Sequence, residues 1–195
     1  MNINVPPQRL SDLELLHRPN ISVNGKISSE TLSFFLQRLQ EVRASGEHLV
    51  MELNTEGGDA DIARRMAMEI RLFRRHAGRD AYCVGKTNVY SAGVTVLAAF
   101  SREKRLLTED AVLLIHERRL DQAVHLCGPI KASIQIIREQ LSMLETAHKL
   151  EMEGFREFVE GSNLSVEELY ERAMSNCYLH AKEALELRLI AEILK

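Results

Sequence analysis

Strand-like and helix-like segments alternate along this chain from residue 20 to residue 115, and no other feature restricts the fold as strongly. Residues 20–23 read as a short strand, closed by the turn pair Asn24-Gly25. Ser28 or Ser29 can cap the helix that follows, in which Leu32, Phe35, Leu36, Leu39 and Val42 recur at helical spacing before Gly46. Residues 48–53 carry few charges, as a strand buried on both faces does. They lead through Asn54-Thr55-Glu56-Gly57-Gly58 into a helix capped by Asp59 or Asp61, with Ile62, Met66, Ile70 and Phe73 on one stripe. Residues 81–84 form another strand, 91–100 an Ala- and Val-rich helix small enough to be buried, and 105–107 and 112–115 two more strands. This order predicts an α/β fold of βαβ units with a mainly parallel sheet.

In such sheets, sites lie outside the carboxyl ends of the strands. Gly57-Gly58, Ser91 and His116 each fall just past a predicted strand, so the fold brings them toward one region. A serine hydroxyl at a helix start and an imidazole at a strand end are the two halves of an activated nucleophile. Serine before histidine is one of several chain orders that this geometry accepts. A glycine pair leading into a helix can aim a backbone amide at a substrate oxygen, which nominates the Gly58 and Ala92 N–H groups as oxyanion donors. A helix-capping serine, a structural histidine and a tight strand-to-helix turn would leave the same residues, so position alone does not separate catalysis from architecture.

Beyond the alternating region, a long helix is predicted over about 129–159, with Pro129 in its first turn. Ile130, Ile134, Ile137, Leu141 and Leu144 make one apolar stripe, and Ile136, Met143, Ala147 and Leu150 a second. A helix apolar on two sides and projecting from a compact domain needs a partner chain. Gly161 ends it, Ser165-Val166-Glu167-Glu168 is a capping box, and residues 178–195 hold a helix and a closing apolar strand at 189–194. Residues 1–19, with Pro6, Pro7 and Pro19, read as an extended N-terminal arm ahead of a single domain over 20–195. Lys and Arg number 25 against 28 acidic residues, so no basic field points to nucleic acid. No apolar run approaches the ~20 residues of a membrane span, and the N-terminus lacks the order of a signal peptide. A cytoplasmic location is expected. Cys83, Cys127 and Cys177 are odd in number and far apart, which predicts free thiols. The remaining histidines lack ligand spacing, so no metal and no cofactor is expected.

Four stretches, in one order, resemble the Clp-type serine peptidases (ClpP) of the ClpP/crotonase superfamily. Asn54-Thr55-Glu56-Gly57-Gly58 is similar to the family's Asn-Ser-Pro-Gly-Gly turn, and Ser91 stands at the nucleophile's place in a small-residue helix start. Lys104-Arg105 followed by Leu114-Ile115-His116 resembles the Gly-Lys-Arg and Met-Ile-His run, and Ala181, Glu183, Ala184 and Leu189 resemble the closing segment. The likeness spans roughly residues 20–194. It implies a βαβ superhelix whose long helix is the family's handle, and peptide-bond hydrolysis through an acyl-enzyme. Ser91 would attack, His116 would carry the proton, and the Gly58 and Ala92 amides would hold the oxyanion. It further implies a homo-oligomeric ring, heptameric and stacked in pairs, peptide or unfolded-protein substrates, and an AAA+ unfoldase partner.

The chain also departs from the family. The triad carboxylate aligns with Asn176, and an amide does not stabilise an imidazolium as a carboxylate does, although Cys-His-Asn triads show that it can orient one. Glu117 and Asp121 are the nearest acids in sequence. Met174-Ser175 replaces an Asp-Arg pair linked to ring contacts. A charged Arg118-Arg119-Leu120-Asp121 replaces a Gly-rich stretch, and Val50 and Glu52 replace aromatics of the unfoldase docking pockets. A short insertion separates Gly85 from Ser91. Beside the peptidase stand two other readings: a non-catalytic ClpP-like ring subunit, favoured by Asn176, and a crotonase-type acyl-CoA enzyme, which shares the oxyanion logic but for which no paired catalytic carboxylates are found.

Overall fold

A computed structural model describes residues 10–195 of the chain. Among these, the strands are β1 (Ile21–Asn24), β2 (Leu49–Thr55), β3 (Ala81–Tyr90), β4 (Arg105–Thr108), β5 (Val112–Ile115), β6 (Cys177–His180) and β7 (Glu192–Leu194). The α-helices are α1 (Asp12–His17), α2 (Ser29–Ser45), α3 (Ala60–His76), α4 (Ala92–Ala98), α5 (Ile130–Val159), α6 (Val166–Ala173) and α7 (Ala181–Glu186). The strands join in the order β1-β2-β3-β4-β7, all parallel, while β5 pairs in parallel with β3 and antiparallel with β6. The expected mainly parallel α/β sheet is present.

Successive residues of a strand face opposite sides of the sheet, and the core divides accordingly. Met51, Cys83 and Leu107 point into the larger apolar cluster with Phe35, Ile70, Phe73 and Leu97 of the covering helices. Their neighbours Val50, Tyr82 and Leu106 point the other way, into a smaller cluster closed by Leu15 of α1. Leu15 is fully buried, and burying a leucine contributes about 1.5–3 kcal/mol. Residues 12–17 are therefore helical rather than extended, a correction to the reading of residues 1–19 as an arm. The cause is a capping box in which Ser11 and Glu14 satisfy each other's backbone donors. Residues 1–9 lie outside the described residues.

β3 is longer than its apolar run predicts, and its two halves serve two neighbours. Residues 83–85 pair with β4, and 88–90 pair with β5. The change of partner takes place at a bulge, where Leu53 and Thr55 of β2 face Gly85 and Val89 of β3. Thr87 lies within it at φ 51°, its hydroxyl donating to Asp110. β6 is absent from the sequence reading, although Cys177 and Leu179 are buried while Tyr178 and His180 are exposed, a period of two.

Helix α5 begins after Pro129 and ends at Val159, as its periodicity predicts. Only its last turns join the core, through Phe158 and Val159. Its apolar stripe remains open to solvent, with Ile130 81% exposed and Leu141 53%. The buried Arg105 ties the base of this helix to α4, donating to the carbonyls of Phe158 and Glu157 on one side and Ala98 and Phe100 on the other. A cation at two helix C-termini is favoured by both helix dipoles.

Candidate active site

Ser91 stands between β3 and α4 at φ 53° and ψ −116°, a left-handed conformation rare for a residue with a side chain. Such strain costs on the order of 1–3 kcal/mol and persists only where neighbours enforce it. Here the Ser91 N–H donates to the Leu114 carbonyl of β5 at 2.7 Å, and its carbonyl accepts from Val94 at 2.9 Å. The turn is abrupt, and the hydroxyl caps no helix N–H. The first N–H groups of α4, Ala92 among them, have no acceptor within the helix.

The glycine pair packs directly against this turn. A Cβ on Gly57 would lie 2.8 Å from Ser91 Cβ and 2.9 Å from the Tyr90 carbonyl, and one on Gly58 would lie 2.3 Å from the Ile27 carbonyl. Both residues have positive φ, 98° and 146°, so spatial fit and backbone conformation each demand glycine. Ile27 donates to Gly57 O and accepts from Asp59 N. In extended backbone this alternation turns the intervening Gly58 N–H to the other side.

His116 follows β5. It lines one cavity of about 740 Å³ together with Ser91, Gly58 and Ala92. Three turns far apart in the chain thus deliver a hydroxyl, an imidazole and backbone donors to one cleft. Its walls include Val94, Thr95 and Phe155, and charged Arg71 and Glu157, which pair with each other at 2.7 Å. The described hydrogen bonds include none from Ser91 to His116, and catalytic contacts of this kind commonly tighten only with substrate.

Asn176 does not line this cavity. Ile115 pairs with Cys177 across β5 and β6, and one further antiparallel step sets Asn176 opposite His116. Its carboxamide oxygen instead accepts from Arg119 Nη2 at 3.1 Å. His116 Nδ1 lies 2.6 Å from the backbone carbonyl of Glu117. The Glu117 carboxylate is also engaged elsewhere, by the Tyr170 hydroxyl at 3.1 Å, and that carboxylate raises the Tyr170 pKa. Asp121 is exposed on the segment beyond. The described hydrogen bonds include none from either carboxylate to the imidazole.

The segment 117–119 is held by four contacts. Arg118 donates through Nη2 to Asp61 at 2.9 Å, and this contact keeps the Asp61 carboxyl below its ordinary range. Arg118 N–H donates to the carboxylate of Glu151 on α5. Tyr170 and Arg119 complete the set. Glu151, Asp61 and Tyr170 went unnoticed as functional candidates, and no local motif marks them; their partners are distant in sequence. Among the described residues, no group of His, Cys, Asp or Glu is arranged to hold a metal ion, and no helix is long and apolar enough to cross a membrane.

Comparison with known proteins adds two findings. A family model described as Clp protease matches residues 11–195. Among solved structures, an Asn-to-Asp mutant of ClpP1 from Listeria monocytogenes matches with a TM-score of 0.70 at 18% identity, over 90% of each chain. At that identity the likeness establishes the fold. No curated protein sequence matches.

Proposed function

The chain belongs to the Clp protease family, and from that premise we propose that it is a serine peptidase hydrolysing peptide bonds of peptides or unfolded proteins in the cytoplasm. The observation that carries this reading is the shared cleft of Ser91, His116, Gly58 and Ala92. Ser91 Oγ attacks the peptide carbonyl as His116 Nε2 takes its proton. The Gly58 and Ala92 N–H groups hold the resulting oxyanion, and His116 returns the proton to the leaving amine. Water, deprotonated by the same imidazole, then releases the acyl group from Ser91. Oxyanion donation of this kind is worth ~10²–10³ per donor.

The family typically forms oligomeric rings. The unburied stripe of α5 supports such an assembly here, with the helix as the interlocking handle. An AAA+ unfoldase is left out of the proposal. Val50, at one position of the family's docking pockets, is buried in the cluster that α1 closes. Glu52, at another, is paired with Lys86 at 2.6 Å, which also donates to the Leu16 carbonyl. The alternative of a non-catalytic ring subunit draws on the Asn176 oxygen being taken by Arg119.

A fluorophosphonate probe decides between them. The assembled wild type is expected to be labelled at Ser91, with labelling and peptide cleavage lost in Ser91→Ala. An unlabelled wild-type assembly, or labelling that survives Ser91→Ala, would overturn the peptidase reading.

A further inference from the structure

We propose that the main-chain carbonyl of Glu117, rather than the Asn176 carboxamide, orients the imidazole of His116, and that Glu151 is the positioning residue that aims this carbonyl. The inference rests on the peptidase reading above and concerns how its base is held.

A carbonyl oxygen only accepts, so the 2.6 Å contact places the proton on His116 Nδ1. In the neutral imidazole the other nitrogen, Nε2, then keeps its lone pair, which is the tautomer a general base needs. In a Ser-His-Asp triad the carboxylate supplies this acceptor. Here Asn176 sits across the strand pair, but its oxygen is occupied by Arg119 at 3.1 Å.

The direction of the Glu117 carbonyl is set by the peptide unit to which it belongs. That unit is planar and trans, so its C=O and the N–H of Arg118 point in opposite directions as one rigid body. The Arg118 N–H is bound by the carboxylate of Glu151. Fixing the amide at Glu151 therefore fixes the carbonyl at His116. The Glu151 side chain is only 7% exposed, and its second oxygen lies 3.4 Å from His148 Nδ1. A buried carboxylate without a donor is costly, so the pairing is held from both ends. The Arg118–Asp61 and Tyr170–Glu117 contacts pin the same two residues by their side chains, which limits rotation of the peptide between them.

The test compares second-order fluorophosphonate labelling rates of the full chain, in its native assembly, across pH 5–9. Asn176→Ala is expected to keep its rate within about threefold of the wild type and to keep the same pH profile. Glu151→Ala is expected to lose ~10–10²-fold, the scale of a misaligned catalytic group, with a shifted midpoint for the base. Glu151→Gln, whose side-chain oxygen still accepts from the Arg118 N–H, is expected to recover most of the loss. If Glu151→Ala fails to fold, Asn176→Ala alone decides, read together with the ring ¹⁵N shifts of His116. The Nδ1–H tautomer should persist in that variant. A loss of ~10³ or more in Asn176→Ala, near the scale of breaking a Ser-His-Asp triad, would overturn the proposal. So would a switch to the Nε2–H tautomer in that variant, or a folded Glu151→Ala with unchanged rate and profile. Failure of the underlying peptidase reading looks different: the wild type itself is then unlabelled, or Ser91→Ala still reacts.

Discussion

Replacing Gly57 by alanine tests whether the glycine pair backs the serine turn or merely closes a strand-to-helix loop. The added methyl would meet Ser91 Cβ at 2.8 Å and the Tyr90 carbonyl at 2.9 Å, at a φ of 98°. Carbon atoms rest ~3.5–4.0 Å apart, so the serine or the loop must yield by about 1 Å. The backbone conformation itself costs on the order of 1–2 kcal/mol for an L residue, and overpacking adds about 1–3 kcal/mol. Gly46 supplies the control: its φ is 82° and a methyl there meets nothing within 4 Å. Gly46→Ala therefore measures the backbone cost alone. By urea unfolding, Gly57→Ala should lie ~1–3 kcal/mol below Gly46→Ala. Its labelling rate per folded molecule should drop by ~10², the penalty for a 1 Å displacement of a reacting group. Gly46→Ala should label at the wild-type rate. Equal labelling by the two folded variants would refute the idea that Gly57 positions the nucleophile.

Two further outcomes follow from the same structure. Burial alone would raise the pKa of Glu69, but Arg43 and Arg65 each donate to its carboxylate at 2.6 Å and the net effect is a lowered value. A carboxyl depressed on folding stabilises above its unfolded value of ~4.3 and loses that contribution as pH falls through the lower folded value. Glu69→Gln should thus cost about 1–2 kcal/mol at pH 7, moderated because both arginines are part-exposed. In urea unfolding the gap to wild type should close toward pH 3, and a gap that widens in acid would contradict the ion-pair account. On α5, Ile137 and Leu141 are 47% and 53% exposed. The double change Ile137→Glu, Leu141→Glu should leave helicity by circular dichroism unchanged while lowering the mass found by light scattering, whereas an unchanged mass would remove this face from the assembly.

Much of the architecture was legible because it is written in local periodicity. The Leu32–Val42 and Ile62–Phe73 stripes, the low-charge strands and the Ser165 box each act within a few residues, and the elements lie within a few residues of where those signals put them. Two elements escaped for opposite reasons. Helix α1 carries its own start signal, Ser11 with Glu14, which the surrounding prolines outweighed in a reading by composition. Strand β6 is only four residues long and depends on β5 for its pairing, so its period of two is too short to stand alone. The extension of β3 to Tyr90 runs through Lys86-Thr87-Asn88, residues that look like a loop and are in fact a bulge.

The candidate site divides along the same physical line. That Ser91, His116 and Gly58 share a cleft was readable because each follows a strand, and the fold class alone sends strand ends to one edge. The partner of the imidazole was not readable, because it depends on a peptide plane rather than on a side chain. Asn176 has a side-chain oxygen able to accept from an imidazole and the right register, yet register places Cα atoms and leaves open which acceptor a ring nitrogen meets. That choice is made by Glu151, on a helix packed from another part of the chain, and by Arg119, which holds the Asn176 oxygen. An aspartate at 176 would change this balance in a definite way. Its carboxylate would bind Arg119 more strongly than the amide does, so Asn176→Asp by itself strengthens the competing contact. It follows that restoring the family's carboxylate should raise the labelling rate less than the ~10⁴ that separates Asp from Asn in a trypsin-like frame, and that Asn176→Asp combined with Arg119→Ala should raise it more than either change alone. A full ~10⁴ gain from the single substitution would show that a carboxylate at 176 reaches the imidazole despite Arg119, and would refute the competition between the two contacts.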